Sequence, residues 1–154
     1  MVSNSRWKYS FKEGRKAEQV FSDLMIERGA TCVKSSKHDD IHKHIDFYVD
    51  GHGVDVKGNR HLDCIWLELI NVRGKRGWLN GEADYVVFDI KELGAFCFFY
   101  REDLLEAVRG IHKIAKSKGE FYKLYTREGR LDVLVKVHYD YIKHLELSRV
   151  PYDG

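Results

Sequence analysis

The chain has 154 residues, 44% of them hydrophobic and 32% charged, with a formal net charge of +2, the make-up of one soluble globular domain with a core of its own. No apolar run approaches the roughly 20 residues of a membrane span, the N-terminus lacks the apolar core of a signal peptide, and so mild a charge leaves polyanion binding to local clusters. Cys32, Cys64 and Cys97 are widely spaced and read as reduced, buried thiols of an intracellular protein, in cytoplasm or nucleoid, rather than a disulfide framework.

Residues 1–13 carry Trp7, Tyr9 and Phe11 among Arg6, Lys8 and Lys12, which suits a short strand or a packed arm. From about Lys12 to Arg28 the pattern turns helical. Ala17, Val20, Phe21, Leu24 and Met25 fall on one stripe, and Gly29 stops it as a residue that tolerates the left-handed region. Glu18 sits at the margin of that stripe, where a carboxylate either snorkels outward or meets a partner. Residues 30–35 (ATCVKS) read as a first strand. Residues 36–44 are polar, with His38, His42 and His44 beside Asp39 and Asp40. A structural zinc site needs four fixed ligands and no cysteine lies near, so a transition-metal site is the least favoured reading, behind a loop approaching DNA phosphates and a solvated loop.

The stretch from Ile45 to Gly58, IDFYVDGHGVDVKG, reads as a β-hairpin. Residues 45–49 alternate with period two, Asp50-Gly51-His52-Gly53 supplies the turn, and residues 54–57 alternate again. Asp55 and Lys57 therefore project to one face while Val54 and Val56 go to the other. Asp46 lies on the face opposite Ile45, Phe47 and Val49. Pairing about the turn brings two carboxylates and one ammonium together. Two such carboxylates repel, and a hard divalent cation, Mg²⁺ or Mn²⁺, relieves that repulsion better than a proton at neutral pH.

Asn59 and Arg60 lead from the hairpin toward residues 64–70, a third strand of the sheet with Glu68 as the one charge on its mostly apolar face, there to complete the metal shell, to ion-pair with Lys57 or to sit at a surface strand end. The loop 71–79 carries Arg73, Lys75 and Arg76 between glycines, followed by Trp78. Its cations suit phosphate contact, and its indole either stacks on a base or anchors the loop in the core. Residues 83–90 and 95–100 are strands too apolar for a sheet edge. Residues 102–108 read as a short helix and 109–118 as a basic run. Residues 121–126 and 131–137 form a second hairpin turned at Glu128-Gly129, residues 139–147 a short helix, and the last residues a tail.

Asp-x8-Asp-x-Lys across a hairpin resembles the signature of the PD-(D/E)XK nuclease superfamily, with Asp46, Asp55 and Lys57 in the three named positions and Ile45 where the family often has proline. Gly14-Arg15-Lys16-Ala17-Glu18 is similar to the Gly-x-x-x-Glu opening of the first helix in resolvase-like members, which directs that glutamate to the metal. The run GWLNGEADYVVF resembles the segment after the active site in phage and restriction-type members. The resemblance covers about residues 12–108, with 109–154 as an elaboration of the same single domain. It implies an α+β fold, a mixed sheet flanked by helices with a restriction-endonuclease-like αβββαβ core.

The resemblance further implies a Mg²⁺-dependent endonuclease hydrolysing DNA phosphodiesters. Asp46, Asp55 and the Val56 carbonyl would hold the metal (Mn²⁺ as a substitute), Glu18 would join directly or through water, and Lys57 would position the attacking water. Asn59, Arg60, Arg73, Lys75, Arg76 and Trp78 are the candidate DNA contacts. Two cuts in a duplex need two sites, so a homodimer or homotetramer is expected, with no membrane partner. A site-specific enzyme of homing, phage or restriction type leads, a Holliday-junction resolvase is the alternative, and a non-catalytic nucleic-acid-binding module of the same fold is the competing class.

Overall fold

Strict alternation of apolar residues in two adjacent strands, each with both faces covered, organises the molecule. In β5 (Tyr85–Ile90) and β6 (Ala95–Tyr100), Val86, Phe88, Cys97 and Phe99 point into one core and Val87 and Phe96 into another, as a period of two requires. The computed structural model describes residues 14–153, so the aromatic segment 1–13 lies outside the described residues, as do the first residues of the expected 12–28 helix. Two cores, one on each side of a central sheet, account for the folded chain.

That sheet has six strands in the order β1-β2-β3-β5-β6-β9. β1 (Cys32–Lys34), β2 (Phe47–Val49) and β3 (His52–Arg60) form an antiparallel meander. β3 then pairs parallel with β5, and β5 antiparallel with β6. The flanking edges are β1 and β9 (Ser148–Pro151), only three and four residues long, which leaves little unpaired backbone as a template for aggregation. Asp50 (φ 48°) and Gly51 (φ 84°) are both left-handed, the two-residue turn whose twist matches the strands it joins. His52 and Gly53, expected in the turn, are the first residues of β3.

One face of the sheet is covered by α1 (Gly14–Glu27). Its stripe of Ala17, Phe21, Leu24 and Met25 is buried on Phe47, Val54, Val56, Val87 and Phe96, and the Phe21 ring meets Phe96 edge-on at 5.5 Å. Gly29 (φ 88°) ends the helix, and the Ala30 N–H donates back to the Met25 carbonyl at 3.0 Å, the closure that a left-handed C′ residue permits.

The other face carries a second, three-stranded sheet, β4-β8-β7, formed by β4 (Ile65–Ile70), β7 (Leu124–Thr126) and β8 (Val133–Val137). Ile65, Leu67, Val135 and Val137 face inward, joined by Leu104 and Val108 of α2 (Arg101–Val108) and Tyr139 and Ile142 of α3 (Tyr139–Ile142). The chain is thus α+β with a mixed central sheet.

Three expectations are corrected here. β4 is not a third strand of the main sheet. The register between β3 and β5 shifts between Lys57 and Arg60, Asn59 is left-handed, and a bridge between His61 and Cys64 turns the chain away. β4 then pairs with β8, about 70 residues later, because its Ile65–Leu67 face is needed over the second core. The last residues are not a tail either: they form β9, with Val150 opposite Phe96 and the Tyr152 ring 5.5 Å from it. The segment 36–44 holds a π-helical turn, Asp39–Lys43, rather than an open loop. None of the described helices is long and apolar enough to cross a membrane.

Candidate active site

The hairpin register decides which polar side chains meet. Phe47 lies opposite Val54 in the last pair of the β2-β3 ladder, and the Asp46 N–H donates to the Val54 carbonyl at 2.8 Å, a bulge. Beyond it the Asp46 carboxylate reaches β3 and comes near enough to Asp55 for the charge of one to act on the other. Both are buried, at 8% and 2% exposure, and Asp55 lies on the side of the sheet away from α1, since its neighbours Val54 and Val56 pack against that helix. Lys57, two residues on, shares that face and holds its Nζ 3.2 Å from Asp55 Oδ1.

Each group is partly satisfied. Asp46 Oδ2 accepts the Val56 N–H at 2.8 Å. In a strand the N–H and C=O of one residue leave by the same edge, so the Val56 carbonyl also faces the Asp46 side, beyond the paired part of β2. Asp55 Oδ2 is buried without a hydrogen-bond partner, a costly state for a carboxylate oxygen. The Lys57 ammonium lies 4.9 Å from the centroid of the Trp78 ring, a cation–π contact that steadies it.

The electrostatics follow from this crowding. Burial pushes the Asp46 carboxyl up to about 8, and the charges of Asp55 and Glu18 push in the same direction, against the Val56 N–H and Lys57. A second buried acid, Asp89, is raised to about 7 by its burial and accepts a hydrogen bond from the Tyr152 hydroxyl. It lies on β5 away from the Asp46–Asp55 pair and reads as part of the β9 anchorage.

Glu18 is near enough for its charge to act on Asp46, but its Oε1 is held 2.9 Å from Lys34 Nζ. Lys34, opposite Phe47 in β1, is the neighbour that the sequence reading missed. A lysine in a short exposed strand carries no signal until the register is known. Among the described residues no three carboxylate, imidazole or thiol groups are gathered closely enough to hold a metal ion as the side chains stand. The donor set that does fit a hard cation is the Asp46–Asp55 pair with the Val56 carbonyl, two charged oxygens and one neutral one, the rest of the shell being left to water. Asp55 Oδ2 is an oxygen in want of a partner at that place.

The other candidates divide. Trp78 is 6% exposed in a short 3-10 turn (Trp78–Asn80), and its ring meets Phe88 at 6.0 Å. It is a core anchor under Lys57, and burial keeps it from stacking on a base. Arg76 is engaged, donating to the His42 carbonyl and to Glu82 Oε2, both at 3.1 Å. Arg73 and Lys75 are exposed on a turn whose backbone N–H groups donate to Asn71 Oδ1 at 2.9 and 3.0 Å. Glu68 makes no ion pair with Lys57, whose partner is Asp55. Asn59 bears the left-handed kink, and Arg60 Nη1 donates to the Gly58 carbonyl at 2.8 Å. His44 is bonded to the Arg76 carbonyl at 3.0 Å while His38 and His42 pack on each other at 4.7 Å, so the three histidines do not converge. All three thiols are free, Cys97 buried but Cys32 and Cys64, read from the sequence as buried thiols too, only partly so.

Comparison with protein families, with characterised proteins and with solved structures finds no match for the chain.

Proposed function

We propose that this protein is a metal-dependent endonuclease of the PD-(D/E)XK kind, acting on double-stranded or branched DNA. The observation that carries the reading is the buried pair Asp46 and Asp55, close enough for the charge of the second to act on the first, with Lys57 bound to Asp55. A hard divalent cation, Mg²⁺ or Mn²⁺, held by Asp46, Asp55 and the Val56 carbonyl would supply the positive charge that neutralises the pair and stabilises charge developing on a scissile phosphate.

The rest belongs to the chain's own side chains. Asp55 and the Trp78 ring fix the Lys57 ammonium, so that it can donate a hydrogen bond to an attacking water or to a phosphate oxygen without reorganising. Asp46 must lose its proton before the pair can act as a ligand, so the cation is expected to bind more tightly as the pH rises and the raised Asp46 carboxyl ionises. Glu18, held by Lys34, would contribute through its charge and through water. Arg73 and Lys75 remain exposed for phosphate contact. Two cuts in a duplex would need two copies, as a homodimer or homotetramer.

Supercoiled plasmid and a synthetic four-way junction, each incubated with and without Mg²⁺, test the reading and separate a site-specific endonuclease from a junction resolvase. Lys57→Ala is expected to abolish cleavage while DNA binding persists. Undiminished cleavage by that variant, or product formed in excess chelator, refutes the mechanism. Binding without product from any substrate in Mg²⁺ or Mn²⁺ favours the non-catalytic module.

A further inference from the structure

The outer face of the second sheet has a composition that its structural role does not require. Ile65, Leu67, Val135 and Val137 fill the core, so the residues between them point away from it. Trp66 lies opposite Lys136, and Leu134 opposite both Glu68 and Tyr125. The Trp66 and Tyr125 rings stand 5.4 Å apart. Lys136 Nζ, 5.5 Å from the Trp66 ring and 4.4 Å from that of Phe121, holds the indole in place from beside the sheet. Above this floor is a cleft of 280 Å³ lined by Arg60, Trp66, Lys118, Tyr125, Arg127 and Leu134.

Every charged residue lining the cleft is a cation. Arg127 is partly neutralised by Asp132, whereas the Lys118 side chain is exposed and its backbone carbonyl alone is engaged, by Lys136. Rigid aromatic faces beneath converging cations suit a ligand with a flat π-system and a phosphate. The volume is at the small end of ligand pockets, room for one nucleotide unit. A base inside a duplex is stacked on both sides and unable to lie on a protein ring, so the fitting macromolecule is a single strand.

The geometry points to a binding site for single-stranded nucleic acid on the β4-β8-β7 face, with a base stacked on Tyr125 in the 52° wedge that its ring makes with Trp66 and its phosphate between Arg60, Lys118 and Arg127. Arg60 closes β3 three residues beyond Lys57, about 10 Å along a strand. A nuclease would use this site to hold a displaced or unpaired strand beside the cleavage site, but the site does not depend on catalysis and survives its failure.

The experiment is fluorescence anisotropy of a labelled single-stranded oligonucleotide with the full chain in chelator, where no hydrolysis is possible. Tyr125→Ala and Lys118→Glu each test it, the latter altering only an exposed side chain. Tyr125→Ala is expected to weaken binding roughly tenfold or more, and Lys118→Glu to weaken it and flatten its salt dependence. Thermal melting confirms that each variant is folded. Unchanged affinity in folded Lys118→Glu overturns the proposal. So does equal binding of an inorganic polyphosphate, which would leave the aromatic floor without a role, or equal affinity for a free mononucleotide, which would make the strand irrelevant.

Discussion

Asp46→Asn should stabilise the metal-free protein, and do so only as the pH rises. In the wild type the folded Asp46 carboxyl is raised from 3.8 to about 8, so the folded state binds a proton that the unfolded chain releases. The associated stability is fully present below about pH 4 and is lost as the pH climbs through about 8. At about 1.4 kcal/mol per pH unit the whole interval is a ceiling of roughly 5–6 kcal/mol. Local relaxation and water penetration at a buried charge reduce this to about 2–3 kcal/mol. For a domain of this size that is roughly 5–10 °C in Tm. Asparagine keeps the side-chain oxygen that accepts the Val56 N–H and has no charge to bury.

The assay is thermal melting of both proteins from pH 4 to pH 9 in chelator, then in millimolar Mg²⁺. Taking the difference between them removes Asp89, whose raised carboxyl acts in the same direction in both. The two Tm curves should meet near pH 4, separate steadily to pH 8 and run level beyond it. Mg²⁺ should then raise the wild type at pH 8 and leave Asp46→Asn unmoved, since a ligand stabilises only the state that binds it. Parallel curves would refute the burial argument, and a wild type indifferent to both Mg²⁺ and Mn²⁺ at pH 8 would remove the cation site.

Three further outcomes rest on packing. Gly77→Ala places a Cβ 2.6 Å from the Glu68 carbonyl oxygen, so backbone must move, and chemical denaturation should show a loss of about 1–3 kcal/mol. Asp50→Ala removes the acceptor for both the N–H and the hydroxyl of Thr31, at 2.9 and 3.0 Å, and places alanine at a positive φ; a loss of about 1–2 kcal/mol in the same assay is expected. Phe21→Ala empties the centre of the α1 core and should cost about 3–5 kcal/mol, with a lower urea midpoint as the readout.

The helix stripe from Ala17 to Met25, the hairpin about Asp50-Gly51 and the alternation in β5 and β6 were legible in the sequence, because each is a periodicity or turn chemistry complete within a dozen residues. That one hairpin brings Asp46 and Asp55 near each other was legible too, whereas the bond from the Asp46 N–H to the Val54 carbonyl, which ends the regular ladder there, was not. The placement of β4 was not legible. Its alternation reports one buried face and says nothing about which sheet owns that face, and its partner β8 is far along the chain. Likewise Val150 and Tyr152 are two apolar residues in a short polar ending, and only the open edge of β6 makes a strand of them.

By itself, then, the sequence determined which residues share a face and which charges a single hairpin brings together. The tertiary structure decided what those faces meet: Trp78 under Lys57 rather than on a base, Lys34 against Glu18, and an aromatic and basic outer surface on a sheet whose strands come from opposite halves of the chain. The physical reason is that local periodicity is set by backbone geometry over a few residues, whereas long-range pairing depends on which distant surfaces exclude water together.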